Sequence, residues 1–352
     1  MAAGGRIKVL VVDDSALMRR VIWGLLEEDP DIQVVGSAVD GQDAIEKVHQ
    51  LKPDVVTLDV EMPKLDGLQT LGYLMSENPV PCVMLSAYTP RGAETTLKAL
   101  DYGATDFVQK PSGAISLNLE RVKDELLSKV KVAKGIDLKR LPFKGAAEAR
   151  PTPVVAKPKP IKDSGSVVAI GTSTGGPRAL AALLPALPAA FPAPVLVVQH
   201  MSAGFTASLA ARLDKECGNR VKEAEQGEVL EAGTIYLAPG DWHMEVVREG
   251  AVVKVKLDQR PPVLGVRPCV DLLFQSVAEA YGPKAVGVVL TGMGRDGAKG
   301  LKMMKAKGAQ SLAQDEASSV VYGMPRAAYA SGAVDKVLPL GQMAAAIVEV
   351  LP

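Results

Sequence analysis

Residues 7–14 read IKVLVVDD, a short run of mostly β-branched apolar residues ended by two acids. A run apolar on both faces is a strand covered on both sides, which points to a parallel sheet between helices. Downstream, Ala16, Leu17, Val21, Ile22 and Leu25 fall at helical spacing. The pair then recurs: IQVVGSA before a helix from about Ala44, VVTL before one from Leu65, CVML before one from Glu94, and DFVQK before one over 117–132. Five such units predict an α/β domain over residues 1–133, a five-stranded parallel (βα)5 sheet.

Over residues 134–165 the rhythm lapses into a Pro- and Lys-rich stretch, KGIDLKRLPFKGAAEARPTPVVAKPKPIKDSG, which suits an extended, solvated linker. It resumes with VVAIG, PVLVVQH, TIYLAPG, AVGVVLTG and AQSLAQ, with helices between them and a hairpin through MEVVREGAVVKVKL. Residues 166–352 are therefore predicted to form a doubly wound, mostly parallel α/β domain with an antiparallel hairpin. A length of 352 residues agrees with two domains, since single cores stop growing at about 250–300 residues.

Lys plus Arg number 40 and Asp plus Glu 40, a balance that gives no reason to expect a nucleic-acid partner or an anionic membrane surface. Cys82, Cys217 and Cys269 are odd in number and form no C-x-x-C pair, which argues against disulfides and zinc. The N-terminus MAAGGRIKVLVVDD has no signal-peptide pattern, and no apolar stretch approaches the roughly 18 residues of a membrane span. The expectation is a cytoplasmic protein without membrane insertion.

Sites in parallel sheets gather at the carboxyl ends of the strands. In the first domain those ends carry Asp13 and Asp14, Asp59, Ser86 and Lys110. Three converging carboxylates need a cation, and an all-oxygen site suits Mg²⁺. Phosphoryl transfer to a carboxylate follows: Asp59 attacks, Mg²⁺ bridges the developing charge, Lys110 holds a phosphoryl oxygen and Ser86 senses the product. The motifs VVDDS, DVEMPKLDG, LSAY and Lys110-Pro111 resemble the response-regulator receiver domain over nearly all of residues 5–130. The resemblance implies phosphorylation at Asp59, Mg²⁺ held by Asp13, Asp14, Asp59 and the Glu61 backbone carbonyl, an aromatic switch at Phe107, and a cis Lys110–Pro111 peptide.

In the second domain Ser173 lies in GTSTGG between a strand and an Ala- and Leu-rich helix, and the segment fits the G-x-S-x-G turn that exposes a nucleophilic hydroxyl. By itself, a Ser there is better explained as a helix cap. His200 ends a neighbouring strand, where a general base belongs. Of the other two histidines, His49 belongs to a solvent-facing helix, and His243, on a loop after APGDW, stands in reserve. The acid is expected from another strand end, and TGMGRDG supplies Asp296, with Asp271 as the alternative; the Met293 N–H can serve an oxyanion hole. An α/β-hydrolase would run Ser, acid, His, but no Asp or Glu lies between Ser173 and His200, and His243 would need Asp214 or Asp241.

AIGTSTGGP, VVQHM, YLAPGDWHM, RPPV and TGMGRDGA together resemble the catalytic domain of chemotaxis response-regulator protein-glutamate methylesterases over residues 166–350. That resemblance implies hydrolysis of γ-glutamyl methyl esters on the cytoplasmic helices of chemoreceptors, releasing methanol, and deamidation of receptor glutamines. It implies Ser173, His200 and Asp296 as catalytic residues assisted by Thr174 and Met293, with no cofactor in this domain. It also implies a chemotaxis histidine kinase as phosphoryl donor, and a receiver that hinders the catalytic face until Asp59 is phosphorylated. A methyl-binding slot is expected from Met201 or Met293. Two other readings compete. A non-catalytic regulator that binds a partner through the same loops has no need of Ser173, His200 and Asp296 together. A nucleotide-binding domain would require the Gly-Lys-Ser/Thr or G-x-G-x-x-G spacing that GTSTGG lacks.

Overall fold

The structure is a computed structural model that describes residues 5–87, 89–111, 117–138 and 163–352. It divides into two compact units, Met1–Glu148 and Ala149–Pro352. Most of the expected linker, residues 139–162, lies outside the described residues.

The first unit runs β1 (Ile7–Val12), α1 (Ala16–Glu27), β2 (Ile32–Ala38), α2 (Gly41–Leu51), β3 (Val55–Asp59), α3 (Gly67–Glu77), β4 (Cys82–Ser86), α4 (Pro90–Asp101), β5 (Asp106–Gln109) and α5 (Leu117–Lys134). Its sheet has the order β2-β1-β3-β4-β5 with every pair parallel. Val9, Val11, Val55, Val83, Leu85 and Val108 pack under Ile22, Leu26, Leu126 and Val130 of α1 and α5, while α2 and α3 pack together. Covering on both faces is why the strands read as unbroken apolar runs.

The second unit runs β6 (Val167–Thr172), α6 (Gly176–Leu183), β7 (Val195–Gln199), α7 (Phe205–Glu216), β8 (Arg220–Glu223), β9 (Thr234–Leu237), β10 (His243–Glu249), β11 (Val252–Asp258), α8 (Val270–Tyr281), β12 (Ala285–Val289), α9 (Ala298–Ala306), β13 (Gln310–Gln314), α10 (Met324–Ala330), β14 (Lys336–Leu338) and α11 (Leu340–Val350). Seven strands form one parallel sheet in the order β14-β13-β12-β6-β7-β9-β8. The hairpin β10–β11 is a separate antiparallel sheet, and its inward residues Met244, Val246, Val253 and Val255 bury against Phe274 and Val277 of α8.

From β6 the chain proceeds outward through β7 in one direction, and the later strand β12 pairs on its other side. The crevice at such a reversal, outside the carboxyl ends of the strands, is where open α/β sheets bind ligands. Among the described residues, no helix is long and apolar enough to cross a membrane.

Candidate functional site

Ser173, His200 and Asp296 all follow the carboxyl ends of strands adjacent in the sheet, β6, β7 and β12, Asp296 on the loop between β12 and α9. Ser173 directly follows β6. Its N–H donates to the Thr291 carbonyl at 3.1 Å, and its own carbonyl accepts the Gly176 N–H at 2.8 Å, which closes a tight turn into α6. Gly175 caps that helix with φ of 80°, and a Cβ there would lie 2.6 Å from Val320, so the turn needs glycine on two counts. Ser173 is thus held by its backbone rather than as a side-chain cap, since α6 has none.

His200 follows β7, and its N–H continues the ladder to the Thr172 carbonyl at 3.0 Å. Its Nε2 lies 2.8 Å from Asp296 Oδ2. An ionised carboxylate only accepts, so Nε2 carries the proton and Nδ1 is left with the lone pair. Among the described residues no hydrogen bond joins Ser173 Oγ to His200, and catalytic contacts of this kind commonly tighten only with substrate.

Asp296 is 3% exposed yet fully provided for. Oδ2 also accepts the Val270 N–H at 2.7 Å, and Oδ1 accepts the N–H groups of Asp271 and Gly297, each at 2.9 Å, and the Cys269 thiol at 3.2 Å. Val270 and Asp271 are the first residues of α8, so Asp296 caps that helix from a distance, where the dipole favours negative charge. Burial pushes its carboxyl up, but the His200 hydrogen bond and these backbone donors prevail and hold it below the ordinary range.

The alternatives are occupied elsewhere. Asp271 accepts the Gly300 N–H at 2.7 Å, Asp214 accepts the Val221 N–H at 2.7 Å, and Asp241 pairs with Arg267 at 2.7 Å. His49 is exposed on α2. His243, expected on a loop, opens β10 instead; it is fully buried, and its Nε2 donates to the Pro261 carbonyl at 3.3 Å. Burial lowers its pKa, and Nδ1 has no partner among the described residues.

Thr174 is buried, and its carbonyl accepts the Thr291 hydroxyl at 2.9 Å. Met293 is half-buried and directly follows Gly292, which packs so closely on Ser173 that a Cβ would lie 2.8 Å from Ser173 Cβ. Met201 is buried at 7% exposure, as a core methionine would be. Sequence reasoning missed Cys269 and the α8 backbone donors, because backbone groups leave no signature in residue type. It also passed over Gln199, whose amide contacts both Ser173 and His200.

In the first unit Asp13, Asp14 and Asp59 bring ligand oxygens within 4.8 Å of one another. Lys110 Nζ pairs with Asp13 at 2.6 Å and Asp59 at 2.7 Å. Three carboxylates against one ammonium leave two negative charges, which fits a hard divalent cation. Burial pushes the Asp59 carboxyl up to about 6, aided by Asp13 and opposed by Lys110. Burial lowers the Lys110 ammonium, but the two carboxylates overcome it and leave the pKa raised. The Glu61 N–H donates to Asp59 at 3.3 Å. A Cβ on Gly67 would meet the Asp59 carbonyl at 2.0 Å, so only glycine fits beneath the acid.

Ser86 ends β4, buried, with its hydroxyl on the Ala87 carbonyl at 3.3 Å rather than on Asp59 or Lys110. Phe107 is 3% exposed, with the Lys129 ammonium 5.1 Å from its ring centroid. Against expectation, Lys110–Pro111 is not cis; among the described residues the cis bond is Arg267–Pro268. Trans is the lower-energy form of an X–Pro bond by default.

Comparison with known proteins places both units. Residues 168–347 match the CheB methylesterase family, and residues 9–120 match the response regulator receiver domain. The chain is 50% identical over 349 residues to a Geobacillus kaustophilus protein named protein-glutamate methylesterase/protein-glutamine glutaminase, covering 98% of this chain and 99% of that one. It is 49% identical over 345 residues to a Caulobacter vibrioides protein named protein-glutamate methylesterase/protein-glutamine glutaminase 1, covering 98% of each. Among solved structures, the Thermotoga maritima CheB methylesterase catalytic domain superimposes with a TM-score of 0.52 at 45% identity, over 53% of this chain and 99% of that one.

Proposed function

Because this chain belongs to the CheB methylesterase family and carries an N-terminal receiver domain, we propose that it is a phosphorylation-activated serine esterase acting on methylated chemoreceptors. It hydrolyses glutamate methyl esters to glutamate and methanol, and deamidates receptor glutamines at the same site. The cytosol is its place of action, and a chemotaxis histidine kinase is its phosphoryl donor. Residues 1–133 are the receiver, 134–165 the linker and 166–352 the catalytic domain.

One observation supports the catalytic assignment above the others. β6 lies between β12 and β7, so the 2.8 Å bond from His200 to Asp296 spans the carboxyl end of the strand that delivers Ser173. Ser173 Oγ attacks the ester carbonyl while His200 Nδ1 takes its proton. Asp296 stabilises the resulting imidazolium. The oxyanion is met by backbone N–H groups near Met293, with Thr174 assisting, and its collapse expels methanol protonated by His200. Water then attacks the acyl-enzyme by the reverse proton path. An amide substrate differs only in that the same imidazolium protonates departing ammonia. Met293, half-exposed beside Gly292, is the better placed of the two methionines to meet the methyl group.

In the receiver, Asp13, Asp14, Asp59 and the Glu61 carbonyl would hold Mg²⁺, which when bound would neutralise charge on an incoming phosphoryl group. Asp59 is the phosphorylated residue, Lys110 holds a phosphoryl oxygen, Ser86 reports it and Phe107 is the switch. The test is methanol release from a chemoreceptor cytoplasmic fragment carrying radiolabelled methyl esters, with and without a small phosphodonor. Release that rises with phosphodonor and disappears in Ser173→Ala is expected; undiminished release from Ser173→Ala overturns the assignment.

A further inference from the structure

Gln199 is the last residue of β7, paired in register with Thr172, the last residue of β6. Beyond this point the two chains part, Ser173 turning into α6 and His200 leaving toward α7. The Gln199 side chain stays between them. Its Nε2 donates to the Ser173 carbonyl and to the His200 carbonyl, each at 3.0 Å. The reversed amide would set an oxygen against both carbonyls, so this orientation is fixed by chemistry.

Gln199 is 2% exposed, and its Oε1 is buried without a partner among the described residues. An unsatisfied buried acceptor is unfavourable, so the amide is kept for what Nε2 does. The neighbouring helix accommodates it: a Cβ on Gly176 would lie 1.9 Å from Oε1, so the amide fills the place where a side chain would stand.

We propose that Gln199 is a positioning residue for the esterase reaction, its side-chain amide tying the backbone of the nucleophile to that of the base where the strand ladder no longer can. This rests on Ser173 and His200 being nucleophile and base. Both N–H bonds are used, so the clasp holds two diverging chains to one point. The distance it controls is the separation of Ser173 Oγ from His200 Nδ1, on which proton transfer depends.

The test uses the full chain and the radiolabelled chemoreceptor fragment, with Gln199→Met and Gln199→Glu. Methionine fills the volume without donors, and kcat is expected to fall by between about tenfold and a hundredfold with KM unchanged, the scale of a small misplacement in an active site. Glutamate adds a signature that a folding defect would not give. Protonated, it still donates one bond; ionised, it repels both carbonyls. Its kcat relative to wild type should therefore fall as pH is raised and recover when the same sample is returned to low pH. A wild-type kcat in Gln199→Met, or a pH-independent ratio in Gln199→Glu, overturns the proposal. Ser173→Ala is run in parallel: if it retains activity, the nucleophile assignment fails, whereas inactive Ser173→Ala beside normal Gln199 variants defeats only the clasp.

Discussion

His200 donates its Nε2 proton to Asp296 Oδ2 at 2.8 Å, and the acid that receives it also caps the N-terminus of α8 through the Val270 and Asp271 N–H groups. One carboxylate thus fixes both the tautomer of His200 and the seat of a helix. Asp296→Asn cannot accept at every position the carboxylate now fills, because its amide brings an N–H₂ where donors already point. The reversed tautomer would put a proton on Nδ1, where the lone pair is needed. The expected loss in kcat is about 10⁴-fold, the scale of the equivalent change in other triads. Methanol release under single-turnover conditions measures it, and a loss below tenfold would show that Asp296 does not set the tautomer.

Gly292 is the next point of control. A Cβ there would lie 2.8 Å from Ser173 Cβ and 2.4 Å from the Met324 sulfur, while the Gly292 carbonyl is held by the Gly323 and Met324 N–H groups. The turn cannot retreat, so Gly292→Ala must push Ser173, the proposed nucleophile. A kcat reduced by about a hundredfold is expected, with melting temperature changed much less than activity. Equal loss of folding and turnover would assign Gly292 to packing alone.

The strand ends were readable because parallel strands covered on both faces are apolar runs, and a polar residue that ends one, as Asp59 does, or directly follows one, as Ser173 and His200 do, stands out. The separation of His200 from His243 was also legible, although His243 proved to open a strand rather than lie on a loop. What the sequence could not show are contacts whose partners are backbone atoms. Asp296 meets α8 from 25 or 26 residues away, and Gln199 acts on two carbonyls; neither leaves a pattern in residue types. Cys269 reads as a core thiol, and only the fold sets its sulfur on Asp296.

Acid should destabilise the catalytic domain in two stages. His243 has a depressed folded pKa, so below the unfolded value of 6.5 the unfolded chain takes up a proton that the native state refuses, and stability is lost as pH falls from there toward the folded pKa. Asp296 is also depressed, from 3.8, so its contribution is full above that pH and is lost as pH falls through its lower folded value. Thermal unfolding followed by Trp242 fluorescence in a Trp23→Phe background should show both stages. His243→Asn should flatten the first alone; an unchanged slope as pH falls below 6.5 would remove His243 as its source.

Lys110 partly neutralises the acids of the receiver, and its removal should make folding there depend on a divalent cation. With Lys110 present, three carboxylates face one ammonium. Lys110→Met leaves all three uncompensated, and breaking a buried ion pair by removing one partner costs about 3–5 kcal/mol. Part of that cost is relieved as Asp59, already raised to about 6, takes up a proton. Mg²⁺ held by the folded arrangement alone would stabilise it by mass action, and more strongly where more negative charge awaits it. In a Trp242→Phe background, Trp23 on α1 reports this unit. Lys110→Met should melt well below wild type in chelator at pH 7.5 and gain more than wild type when Mg²⁺ is added. Equal gains in the two proteins would mean that the acidic cluster does not hold the ion.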